Sequence, residues 1–272
     1  MVQSGVLYQL NHFYSIRNDA ALIERRLNGN NLAAAHMKKA QSVARLLSWL
    51  PYVRGIAISG SLSKNFADEN SDLDFFIITA ANRLWIVRIV YSIIYKFASL
   101  AGVTHWFCLN YFVDELGLEI KERNIFTAIE LSTLMPVRGA DVFRSLFHTN
   151  NWVEKYLPNY MPNYSCLKEK PASIVKRLAE WAMNFEYGNT LDDKLQVLFQ
   201  KRFERQTTAN KKSEKGLTIG AYEAGKHICK PMPEYFQPMI LKKFEERFKM
   251  VEQKFHAHLT SLEKILVPNF DE

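Results

Sequence analysis

"GIAISGSLSKNFADENSDLDFFIIT", running from Gly55 to Thr79, decides how the rest of the chain is read. Two apolar runs rich in Ile and Phe enclose a Gly-Ser pair, a polar loop and Asp72-Leu73-Asp74. "VRGIAIS" and "DLDFFIIT" are short and bounded by turn residues, so both read as strands. In a strand, residues i and i+2 share a face, roughly 7 Å apart. Asp72 and Asp74 are then expected to project together, with Leu73 on the other side. Two like charges this close repel, and an apolar setting would not keep both ionised unaided. Mg²⁺ removes that conflict, because it takes oxygen ligands, commonly one or two carboxylates plus substrate phosphates. The plainer alternative is a strand that starts at a solvated turn with two exposed acids.

Gly60-Ser61 follows the first strand directly. Glycine allows a ligand close to the backbone. Ser61 offers a hydroxyl and an N–H, and a helix starting here would aim further N–H groups at an anion. Strand, Gly-Ser, short polar loop, Asp-x-Asp and second strand together are far more specific than either half. At "IAISGS" and "SDLDFFII" the chain resembles the nucleotidyltransferase superfamily, which includes DNA polymerase beta and the small antibiotic and tRNA nucleotidyltransferases. The resemblance covers roughly residues 50–115. It implies that Gly60 and Ser61 hold a nucleoside triphosphate, and that Asp72 and Asp74 bind Mg²⁺ or Mn²⁺. Lys64, in "SLSKN", would neutralise a triphosphate or would be an ordinary surface lysine.

The family pattern also has a third acid on a later core strand. Here that strand reads "HWFCLNYFVD", and the matching position is Asn110. Strict alternation puts Cys108, Asn110, Phe112 and Asp114 on one face. Asparagine is no base near neutral pH. Three outcomes follow: catalysis with two carboxylates, a contribution from Asp114 or Glu119, or nucleotide binding without transfer.

Working outward, 17–49 reads as helical and ends at Pro51. The run from Arg83 to Leu100 reads as a buried helix rather than a membrane span, because Arg88 and Lys96 interrupt it. "LEIKE" is expected to pair back as a fourth strand. After Asn124 the strand signal fades into helices: "IFTAIELSTLM", "ASIVKRLAEWAMNFEYG", a segment capped at Thr190, and a long tail from Pro233. The expected architecture is an α/β (α+β) nucleotidyltransferase core with a small mixed sheet, plus a mainly helical C-terminal half. Its units are an N-terminal helical segment 1–44, the core 45–125 and a helical domain 126–272.

The composition is that of a globular chain: 272 residues, 48% hydrophobic and 13% aromatic. The net charge of +7 suits an anionic partner, and much of the excess lies in the C-terminal half, densest in "KRFERQTTANKKSEKG", Lys201 to Gly216. Cys108, Cys166 and Cys229 are scattered, which argues against a disulfide framework or structural zinc site and suits a reducing cytoplasm. The first residues show no basic-then-apolar signal pattern. "GAYEAGKH", Gly220 to His227, nearly spells a P-loop, but His227 stands where Ser or Thr is required, so it reads as a turn or helix start. His256 and His258 are two apart and do not share a helix face.

The leading expectation is a metal-dependent nucleotidyltransferase that moves a nucleoside monophosphate from a nucleoside triphosphate to an unknown acceptor hydroxyl on a small molecule, protein or RNA. The alternatives are a catalytically weak nucleotide-binding or regulatory module of the same fold, and a basic RNA-binding protein. No membrane partner is expected, and no oligomer signal stands out.

Overall fold

A computed structural model of the chain describes residues 7–69, 71–100, 102, 108–162, 173–184, 187–209, 223–230 and 236–255. A small antiparallel hairpin, β1 (Tyr8–Leu10) and β2 (Phe13–Ser15), comes first. It leads into α1 (Ala20–Leu47), whose first turn is capped by Asp19 accepting from the Ala21 N–H. Ala33, Ala40, Ala44 and Leu47 form the buried stripe of α1, at the three-, four- and seven-residue spacing of a helix face.

Then come β3 (Val53–Ile58), the one-turn α2 (Gly60–Ser63), β4 (Asp74–Thr79), α3 (Leu84–Leu100) and β5 (Cys108–Asp114). After these lie α4 (Ile125–Ser132), β6 (Met135–Arg138), α5 (Ala140–Thr149), α6 (Val153–Tyr156), α7 (Ile174–Ala182) and α8 (Tyr187–Ala209). The pair β7 (Glu223–Ala224) and β8 (Ile228–Lys230), and then α9 (Phe236–Phe255), complete the described chain. The protein is mixed α/β, built on one six-stranded mixed sheet in the order β6-β3-β4-β5-β8-β7. Among the described residues only β4 and β5 run parallel, and α3 makes the crossover that a parallel pair requires.

Alternation along β4 sends Phe75 and Ile77 to one face and Phe76 and Ile78 to the other. The first face packs against α1, α3 and α8, with Trp85, Tyr91, Phe199 and Phe203 in its core. The second packs against α4, α5 and α6 through Leu131, Phe143, Leu146 and Val153. Each fully buried Leu, Ile or Phe contributes roughly 1.5–3 kcal/mol relative to exposure. Arg88 of α3 is buried, donates to Ser92 Oγ at 2.7 Å, and lies over the Phe112 and Phe199 rings. Among the described residues, no helix is long and apolar enough to cross a membrane.

Three expectations are corrected. "LEIKE" is not a strand: Asn150 Oδ1 accepts from the Ile120 N–H at 2.9 Å and its Nδ2 donates to Leu118 O at 2.7 Å. One side-chain amide thus satisfies backbone groups that a neighbouring strand would otherwise pair. The strands do not stop at Asn124, because β6, β7 and β8 all join the central sheet, which therefore runs across the boundary expected at 125. Pro136 made β6 hard to read, yet proline is tolerated there because β6 is an edge strand. The helix expected to start at Thr190 begins at Tyr187, and Arg83 Nη1 bonds Asn189 Oδ1 at 2.5 Å in its first turn. The described part of the near-P-loop, Glu223 to His227, forms β7 and its tight connection to β8, with Gly225 N–H donating to Ile228 O at 2.9 Å. The basic run beyond Ala209 and the pair His256 and His258 lie outside the described residues.

Candidate functional site

The end of β3 and the start of β4 are tied together by the Ser59 N–H, which donates to Asp74 O at 3.0 Å. That pairing sets Gly60 against the Asp74 side chain. Gly60 has φ 68°, a left-handed conformation that L side chains adopt rarely. A β-carbon there would lie 2.1 Å from Asp74 Oδ2 and 2.9 Å from its Cγ. Conformation and close approach both require glycine at this position.

Asp72 is exposed and precedes the strand, because β4 begins at Asp74 rather than at Asp72. Leu73 between them is buried at 2% exposure and anchors the loop to the first core face. Ser61 is exposed on α2. Lys64 is half-buried: its Nζ donates to Gly60 O at 2.9 Å and pairs with Glu130 of α4 at 2.9 Å. The ammonium thus straps the Gly-Ser turn to α4 and neutralises Glu130.

Asn110 lies on β5 next to β4, at a break in register. Cys108 pairs with Asp74 and Leu109 with Phe75, but the next pair is Tyr111 with Phe76. Asn110 is the extra residue of a bulge. Strict alternation through 108–114 therefore fails, and the side chain of Asn110 lies outside the described residues.

Asp114 cannot take the place of a third acid. It pairs with Thr79, at the opposite end of β4 from Asp74, about 16 Å away at strand spacing. It is fully buried and accepts from Asn82 N–H at 2.8 Å and Leu116 N–H at 3.0 Å, with His227 Nδ1 at 2.8 Å. Glu119 is exposed and paired with Arg123 at 2.9 Å.

Beside the Gly60–Asp74 contact, on the face that carries Phe76, the sheet and α4 enclose a pocket of about 90 Å³. Ser59, Phe76 and Tyr111 line it from the sheet, and Phe126, Glu130 and Leu131 from α4. Phe76 and Tyr111 stack with centroids 5.0 Å apart. Burial pushes the Tyr111 hydroxyl pKa up, with Glu122 and Glu223 adding to the effect. Burial also pushes the Glu122 carboxyl up, but the Lys230 ammonium bonded to it outweighs this and holds it below the usual range.

Ser59, Tyr111 and Glu130 were missed in the sequence. Tyr111 is adjacent to Asn110, but the bulge hides which face it takes. Glu130 is 66 residues from its partner Lys64. No family model, no curated protein and no solved structure matches this chain.

Proposed function

We propose that the chain binds a nucleoside triphosphate at the Gly60–Asp74 corner and acts as a metal-dependent nucleotidyltransferase. The observation that carries this reading is the contact between Gly60 and the Asp74 carboxylate. An exposed acid pair at a solvated turn does not require it. A phosphate site would use it: a backbone bare of side chain lies beside a carboxylate that can share a cation with the phosphates. Mixed strand directions, with β3 antiparallel to β4 and β4 parallel to β5, support the same family resemblance.

Asp72 and Asp74 are hard oxygen donors suited to Mg²⁺ or Mn²⁺. Among the described residues no group of three or more His, Cys, Asp or Glu converges. Asp72 and Asp74 would hold the metal, with phosphate oxygens filling further positions. The metal would supply charge neutralisation at the transferring phosphoryl group. Gly60 keeps the turn open to phosphate, and Ser61 offers a hydroxyl and N–H. In the reaction, an acceptor oxygen bonds the α-phosphorus, the α–β bridging P–O bond breaks, and pyrophosphate leaves with that electron pair. Solvent takes the acceptor proton.

Titration calorimetry with the four common nucleoside triphosphates tests the binding, and pyrophosphate release tests the transfer. The expected result is Mg²⁺-dependent binding that Asp74→Asn abolishes. Equal affinity in the presence of chelator and in Asp74→Asn would sink the proposal.

A second reading, a nucleotide-binding module without turnover, is favoured by the placement of Asp114 and Glu119. Asp114 lies at the far end of β4 from Asp74, and the Glu119 carboxylate is engaged by Arg123. Binding without pyrophosphate release supports this reading. Asn110→Asp then separates the two: a gain in turnover shows that the missing acid limited catalysis.

A further inference from the structure

The pocket between the sheet and α4 contains polar atoms that the fold itself does not use. Ser59 is only 7% exposed, and its Oγ has no hydrogen-bond partner. The Tyr111 hydroxyl is likewise buried and without a partner. A buried hydroxyl left unpaired costs roughly 1–3 kcal/mol by protein mutational measures. Both belong to residues that line one pocket, so a ligand group that reached them would supply the partner the fold does not.

The charged groups on the wall are already paired. Glu130 is held by Lys64 at 2.9 Å, and Lys230 by Glu122. Thr127 Oγ1 accepts from Gln237 Nε2 at 3.4 Å. The unsatisfied capacity is therefore uncharged, and the remaining lining is aromatic and aliphatic: Phe76, Phe126, Ile120, Leu131. At about 90 Å³ and partly open to solvent, the space takes one end of a molecule and leaves the rest outside.

We infer that this pocket receives the ring end of an uncharged small molecule that carries a hydroxyl, which hydrogen-bonds to Ser59 Oγ and Tyr111 OH. A hydroxyl both donates and accepts, so a single ligand group can satisfy either side chain. Tyr111 stays protonated because burial raises its pKa, which keeps its donor available. Ser59 is bonded in sequence to Gly60 and pairs with Asp74, so the ligand sits next to the proposed phosphate site. Resting on the nucleotide reading, this molecule is the acceptor; the binding itself does not depend on that reading.

The test uses the full chain without nucleotide, with phenol as probe and toluene as its hydroxyl-free control, followed by ligand-observed NMR. Phenol is expected to bind, and Ser59→Ala and Tyr111→Phe each to weaken it about fivefold, the size of one neutral hydrogen bond. Toluene affinity is expected to be equal in all three proteins. Both substitutions delete an unpaired buried hydroxyl, so the melting temperature should hold or rise. Leu131→Trp, which fills the space, should abolish phenol binding in a protein whose circular dichroism is unchanged. No phenol binding to the parent overturns the inference. So does phenol binding that neither hydroxyl affects, and so does a fall in melting temperature on removing both hydroxyls. Because no nucleotide is present, failure here leaves the phosphate-site proposal standing, and failure of that proposal leaves this result intact.

Discussion

Asp74 Oδ2 occupies the place that a β-carbon on Gly60 would need, at 2.1 Å. The strand that carries the acid and the turn that carries the glycine are thereby mutually dependent. A change at one is felt at the other, and this makes the corner open to a thermodynamic cycle.

Gly60→Ala should destabilise the protein by at least ~1 kcal/mol from the left-handed backbone alone, with a further steric cost against Asp74. Asp74→Ala in the same chain should relieve the steric part but not the backbone part. Urea unfolding of the two single variants and the double variant should give a coupling above ~0.5 kcal/mol. Strict additivity would show that the two residues do not meet.

Asp72→Asn should leave stability within about 0.5 kcal/mol of the parent, since the side chain is exposed. Under the proposed function it should still weaken Mg²⁺-dependent nucleotide binding. Calorimetry with and without Mg²⁺ decides: unchanged affinity in Asp72→Asn would leave Asp74 as the sole acidic ligand.

Asp114→Ala should behave in the opposite way. It strips a carboxylate that caps the Asn82 and Leu116 N–H groups and pairs with His227, all around a fully buried position. Charged hydrogen bonds contribute ~1.5–3 kcal/mol each, so a loss of several kcal/mol is expected in denaturant. Nucleotide affinity of the folded fraction should not change. A variant as stable as the parent would contradict the capping role.

Lys176 gives a pH signature. Its Nζ donates to Ser48 O at 2.9 Å and Val53 O at 2.6 Å. Burial lowers its pKa to about 8, only partly offset by Glu180. A lysine with a depressed folded pKa binds fewer protons in the fold than in the unfolded chain between that value and its ordinary 10.5. Stability should therefore rise with pH across that window. Cys229, whose thiol pKa burial raises, works in the other direction at alkaline pH. The informative quantity is therefore the difference between the parent and Lys176→Met from pH 7.5 to 10, read by thermal melts. A difference that stays flat would show that the ammonium is not buried.

The nearest elements were legible in the sequence because local patterning specifies them. The runs 53–58 and 74–79 are apolar and short, and Gly60 between them announces a tight turn. The helix over Leu84–Leu100 carries its own periodicity, with Arg88 marking it as a core helix rather than a span. Position alone could also suggest that Gly60 and Asp74 meet, because one short loop separates two pairing strands.

What only the tertiary structure decided depends on contacts between distant segments. The strands β6 and β8 are too short to signal themselves, and they form because the exposed edges of β3 and β5 offer unpaired N–H and C=O groups. The bulge at Asn110 shifts β5 by one residue, and a one-residue slip exchanges the faces of a strand, so alternation placed Asp114 wrongly. The pocket lined by Ser59, Tyr111 and Glu130 draws on segments more than 70 residues apart. Hydrophobic burial, which is indifferent to sequence separation, brings them together. The sequence by itself determined the glycine-acid corner, and packing decided what surrounds it.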